Sequence, residues 1–144
     1  MKLPLKEIAA RARATYPQEC CGLVMEDADK LVFVPIDNIA GAGTASERSK
    51  ADGYEMDPKQ LLKALESGRR LVAIVHSHPD VGAYFSNEDK HMALGGGDKP
   101  LWPGVQYLVV SVRDSRVDGA RLYSWNDLLR DFDELEIPEI TAYT

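Results

Sequence analysis

Five consecutive apolar residues, Leu71-Val72-Ala73-Ile74-Val75, stand between Gly68-Arg69-Arg70 and His76-Ser77-His78-Pro79. The run is too short for an ordinary helix and has no polar alternation, so it is predicted to be a strand buried on both faces. A sheet covered on both sides follows, and 144 residues suffice to bury such a core without disulfides or a structural metal. Side chains alternate along a strand, so His76 and His78 leave its C-terminal end on one side and Ser77 on the other. Both imidazoles can therefore reach one metal ion.

The elements on either side of this strand can be read in the same way. Leu5, Ile8, Ala9 and Ala12 have helical spacing in the segment 5–15, and Pro17 ends that helix. Gly22 to Met25 and Leu31 to Ile36 are β-rich runs joined by Glu26 to Lys30, the pattern of a hairpin. Residues 37–53 are small and polar without period, a loop long enough to be functional. A short strand is expected around Tyr54-Glu55-Met56. Asp57-Pro58 then opens a second helix with Leu61, Leu62 and Leu65 on its apolar face up to Gly68. Ser86-Asn87-Glu88-Asp89 is an N-cap pattern ahead of a short helix running to Leu94, and residues 95–104 form a second irregular loop. Val105 to Val112 is a strand partnered by Gly119 to Trp125. Asn126 to Leu135 reads as a final helix and Ile137 to Thr144 as a frayed tail. There is no repeat and no linker, so one domain is expected over 1–144, with its core at about residues 5–125.

The formal net charge is −6, and no basic run exceeds Arg69-Arg70, which argues against nucleic acid as a partner. No apolar stretch approaches the roughly 20 residues a membrane span needs, and the N-terminus lacks the apolar region of a signal peptide. No membrane association and a cytoplasmic location are expected. Cys20 and Cys21 are adjacent, a poor geometry for a disulfide, so reduced thiols are expected. They read as small buried hydrophobes or, alternatively, as an additional metal ligand or redox brake.

A zinc hydrolase needs three protein ligands, an open position for water and a nearby base. His76, His78 and Asp89 are ligands of the right types. Taken by themselves, the histidines also read as the exposed end of a strand, Ser86 and Asp89 as helix caps, and Glu19 as a surface acid at a helix–strand junction. His91 reads as a surface residue. Tyr84 and Trp102 lie in loops flanking the site, where an aromatic could clamp a substrate chain or pack into the core.

Pro79 and Ser86 are separated by six residues, and Ser86 and Asp89 by two. Together with Pro17-Gln18-Glu19-Cys20-Cys21-Gly22 upstream, this spacing resembles the JAMM (MPN+) metallopeptidases, the Mov34/MPN/PAD-1-like family, in its prokaryotic stand-alone form. The resemblance runs from about residue 5 to residue 125. It implies an α/β fold, a single MPN (JAB-like, cytidine-deaminase-like) domain whose central mixed, mostly antiparallel curved sheet is flanked by helices. It also implies one Zn2+ per chain on His76, His78 and Asp89, with Glu19 holding the attacking water and shuttling its proton, and Ser86 stabilising the oxyanion. The implied reaction is hydrolysis of a peptide or isopeptide bond at the C-terminal tail of a ubiquitin-like or sulfur-carrier protein. Two other readings of such a domain are a non-catalytic scaffold, whose members typically lack the ligands, and a phage tail-assembly peptidase. A zinc nucleoside deaminase is disfavoured, because the His-x-Glu and Pro-Cys-x-x-Cys signatures are missing.

Overall fold

A computed structural model of the chain describes residues 1–41 and 49–144. Six strands form one sheet: β1 (Cys21–Asp27), β2 (Lys30–Ile36), β3 (Arg70–Pro79), β4 (Gln106–Arg113), β5 (Arg116–Asn126) and β6 (Asp131–Glu136). Their order is β2-β1-β3-β4-β5-β6, and every neighbouring pair is antiparallel except β3 and β4. The sheet is thus mixed and mostly antiparallel, with the apolar run of residues 71–75 in an interior strand as expected.

Helices cover both faces. α1 (Leu5–Thr15) lays Ile8, Ala9 and Ala12 on Val24, Ala73, Val75, Leu108 and Val110. On the opposite face, α2 (Pro58–Leu65) covers Leu23, Met25 and Ile36, while α3 (Asn87–Leu94) covers Val109 and Tyr107. α2 begins where Asp57 accepts hydrogen bonds from the N–H groups of Lys59 and Gln60, with Pro58 in the first turn. Gly22 has a packing reason: a Cβ there would lie 2.6 Å from the Phe33 ring and 2.7 Å from the Val34 carbonyl oxygen, both on β2. The hairpin can close only over a residue without a side chain.

The C-terminal expectations are corrected. Residues 126–135 form no helix. β5 continues to Asn126, whose side-chain oxygen accepts the N–H groups of Leu128 and Leu129 at 3.0 and 3.1 Å. That turn competes successfully with helix formation. β6 then pairs back along β5, with Phe132 packed between Phe85 and Trp125 at ring separations of 4.9 and 5.2 Å. Leu128 and Leu129 are the exposed tip of the turn. Nor is the tail frayed. Ile137 donates to the Ala120 carbonyl at 3.0 Å, a 3₁₀ helix spans Pro138–Tyr143, and Ile140 is completely buried against α1. The short strand expected at residues 54–56 reduces to one bridge between Met56 and Asn38. Of the loop expected at 37–53, residues 42–48 lie outside the described residues.

Burial of Ile140 gives a direct check on the tail. Ile140→Ala should cost about 2–4 kcal/mol of stability, as for other fully buried aliphatic truncations. Urea unfolding measures it, and a cost near zero would mean that the tail does not dock.

Candidate metal centre

Strand geometry delivers the histidines. β3 lies between β1 and β4, with His76 opposite Cys21 on one side and Val109 on the other, and His78 beside Ser111. Both imidazoles emerge on the face that carries α2 and α3, and both residues are buried. Ser77 points the other way, and its hydroxyl oxygen accepts the Cys20 N–H at 2.7 Å. The residue between the histidines therefore fixes the segment that carries Glu19.

The third group comes from the start of α3. Ser86 caps the helix by accepting the Asp89 N–H at 3.0 Å, and Asp89 Oδ2 accepts the Ser86 N–H at 3.0 Å, a reciprocal capping box. The same Oδ2 stands 3.3 Å from His76 Nε2 and 3.4 Å from His78 Nε2, and the two Nε2 atoms are 3.1 Å apart. Ligand atoms about 2.0–2.1 Å from a tetrahedral zinc ion stand about 3.3 Å from one another, so this triangle has the dimensions of three corners of such a site. Glu19 offers a carboxylate oxygen within 4.8 Å of the two ring nitrogens. That set alone could hold a cation, and the triangle that includes Asp89 has edges of 3.1–3.4 Å.

Outer partners orient the rings. His78 Nδ1 lies 3.0 Å from the Gly82 carbonyl; a carbonyl can only accept, so Nδ1 carries the proton and Nε2 presents its lone pair. His76 stacks on Tyr54 at 4.8 Å, and its buried Nδ1 has no hydrogen-bond partner among the described residues. Burial pushes the His76 pKa down, and Asp89 only partly restores it. Burial also acts downward on His78, but the bonds to Asp89 and the Gly82 carbonyl outweigh it and the net direction is up. Burial alone would raise the Asp89 carboxyl. The two imidazoles and the Ser86 N–H overcome that effect and hold it well below the usual carboxylate range.

An open cleft of about 230 Å³ lies over these groups, lined by Glu19, Tyr54, His78, Tyr84, Ser86 and Asp89 among others. Tyr84 stands edge-on to His78 at 5.0 Å and is half exposed at the cleft wall. Trp102 instead borders a neighbouring apolar cavity of about 270 Å³ that shares Tyr54, Asp89 and Met92 with the cleft. His91 is exposed in the last turn of α3.

Glu19, His76, His78, Ser86 and Asp89, the residues the sequence assigned to the site, therefore meet in one place. Two participants were not anticipated, Tyr54 behind His76 and Asn38 behind Glu19. Asn38 stands two residues beyond the end of β2 with no period around it; an Asn where a strand gives way to a loop was the only signal.

A mixed sheet with helices on both faces and a His/His/carboxylate cluster at the end of an interior strand defines a JAB/MPN-type domain. The chain belongs to the prokaryotic homologues of the JAB domain, whose family model matches residues 4–127. Among solved structures it resembles a protein from Desulfitobacterium hafniense at TM-score 0.64 and 26% identity, covering 92% of this chain and 86% of that one. A protein from Salinibacter ruber matches at TM-score 0.60 and 26% identity, covering 95% and 90%. A JAB1/MPN domain protein from Archaeoglobus fulgidus, 20% identical at TM-score 0.50 over 92% and 90% of the two chains, shares the fold. The tail tip assembly protein K of Escherichia phage N15 is 35% identical over 83 residues, 58% of this chain and 31% of that protein's length.

The cysteines are not at the donor cluster's surface. Cys20 packs in the core, and Cys21 donates its thiol to the Ile36 carbonyl at 3.3 Å. Burial pushes the Cys20 thiol up to about 11 and the Cys21 thiol up to about 12, so both stay protonated and poorly nucleophilic at neutral pH. Native protein at pH 8 should leave an aromatic disulfide reagent unconsumed, and denatured protein should release two thiols. Rapid native labelling would refute the assignment of both as buried core.

Proposed function

We propose that the protein is a zinc-dependent peptidase or isopeptidase acting on an amide bond at the C-terminal tail of a ubiquitin-like or sulfur-carrier protein. The observation that carries this reading is the triangle of His76 Nε2, His78 Nε2 and Asp89 Oδ2, with edges of 3.1–3.4 Å and Glu19 beside it. The donor set of two imidazoles and one carboxylate suits Zn2+, which when bound supplies Lewis acidity and lowers the pKa of water. His76, His78 and Asp89 would hold it.

The remaining chemistry belongs to the chain. Glu19 takes a proton from the attacking water and returns it to the leaving amine. Ser86 accepts the Asp89 N–H through its oxygen, which leaves the hydroxyl proton free to be directed at the oxyanion in the cleft. Tyr84 walls the entry path, and an extended tail suits a cleft open at its rim. The two buried, protonated thiols suit a reducing compartment such as the cytoplasm. A scaffold role is disfavoured because the complete donor set is retained. The match to the phage tail tip assembly protein supports a second reading, cleavage of a tail-assembly protein by the same machinery.

Metal analysis should find about one zinc per chain, lost in His76→Ala and Asp89→Ala. Glu19→Gln should keep the metal and lose hydrolysis by about 10²-fold or more. Cleavage is measured on a small carrier protein whose tail ends in Gly-Gly, extended through an amide. A wild type without zinc affinity would sink the hydrolase reading. Cleavage of a phage tail protein with the carrier left intact would select the second one.

A further inference from the structure

Glu19 precedes β1, so no sheet ladder holds its backbone on both sides. Its carboxylate nevertheless needs a fixed position beside the imidazoles. The geometry points to Asn38 as the positioning residue that clasps Glu19 to the loop forming the cleft wall. This inference rests on the hydrolase reading and adds a residue to it.

One side chain makes five of the connections. Asn38 Nδ2 donates to the Glu19 carbonyl at 3.0 Å, to the Gly53 carbonyl at 3.1 Å and, more weakly, to the Lys50 carbonyl at 3.4 Å. Its Oδ1 accepts the Ala40 N–H at 3.0 Å and the Glu55 N–H at 3.1 Å. The Glu19 N–H donates to the Lys50 carbonyl at 2.7 Å, so both backbone polar groups of Glu19 end on the Asn38–loop unit. From the other side, Ser77 holds Cys20 through its hydroxyl and its N–H. Glu19 is thereby gripped between β3, which bears the histidines, and the segment that supplies Gly53 and Tyr54 to the cleft.

An amide is required for this. Only Asn and Gln offer two donors and an acceptor on one planar group, and the short Asn stem keeps all of them next to the backbone. Aspartate at this position keeps the acceptor for Ala40 and Glu55 but turns a carboxylate toward three carbonyl oxygens. Displacement of a proton-transferring group by about 1 Å can lower turnover by about 10²-fold. The zinc donors come from β3 and α3 and do not touch Asn38, so metal binding is expected to survive.

The test is Asn38→Asp, alone and combined with Glu19→Gln, in the full-length chain. Asn38→Ser removes the amide without adding charge and serves if the aspartate variant fails to fold. Zinc stoichiometry should stay at about one per chain. Turnover per zinc should fall by about 10- to 100-fold, and the change should cost nothing further on top of Glu19→Gln, because residues acting through one another are not additive. Hydrogen exchange provides a readout free of activity: the Glu19 amide should exchange faster by about tenfold or more, with β3 and β4 unchanged. Unaltered turnover, or an equal additional loss in the Glu19→Gln background, would overturn the proposal. If zinc-loaded wild type cleaves no carrier tail, the hydrolase reading fails by itself. Exchange then decides the clasp, and unchanged protection at Glu19 rejects it.

Discussion

The capping box between Ser86 and Asp89 is the contact on which the site depends. A carboxylate at the third position of a short helix is already favoured there by the exposed N–H groups and the helix dipole. In this fold the oxygen that accepts the Ser86 N–H is the same one that faces both imidazoles. Folding of α3 and assembly of the donor triangle are thus one event. Loss of the cap would move the Asp89 carboxylate, and loss of the carboxylate would uncap the helix. Ser86 has no need to choose between structure and chemistry, since its oxygen serves the helix while its proton remains available to the cleft.

The second constraint is the parallel pairing of β3 with β4 inside an otherwise antiparallel sheet. A parallel pair requires a crossover, and here the chain between the two strands is the crossover: it contains Tyr84, Ser86, α3 and Trp102. The connection returns across the carboxyl end of β3, where the histidines emerge. Open sheets with parallel neighbours characteristically place ligand sites at that end. Tyr16 and Asp80 lock the far side of the same corner through a 2.6 Å hydrogen bond, and Asp80 N–H reaches the Val112 carbonyl at 2.7 Å.

Much of this was legible in the residues because several local signals agreed. The apolar run at 71–75, the His-x-His spacing and the Ser-x-x-Asp cap each impose a geometry, and the three geometries converge on one point. What was not legible has physical reasons. Residues 126–135 read as a helix, but Asn126 captures the Leu128 and Leu129 N–H groups first, and the sequence pattern carries no record of that competition. Ile140 stands in a segment without period, and its burial comes from docking against α1 and β5 together. Asn38 and Tyr54 act between segments distant in sequence rather than along a strand, so their role exists only in three dimensions. The spacing of Glu19 from the histidines, by contrast, is set by the β1–β3 register, in which Cys21 faces His76.

The donor triangle also explains why this site is buried in a polar form at all. His78 spends its proton on Gly82, leaving Nε2 bare, and burial disfavours a second proton on His76. Two ring nitrogens and a carboxylate oxygen converge within 3.1–3.4 Å, a concentration of polar atoms that a low-dielectric interior penalises unless each is partnered. Either a proton or a cation at the centre relieves it. Asp89, held ionised, cannot supply the proton, and the opposite directions in which the two histidines are pushed leave at most one imidazole to carry it. A divalent cation would satisfy all three atoms together, and its binding would then stabilise the folded site.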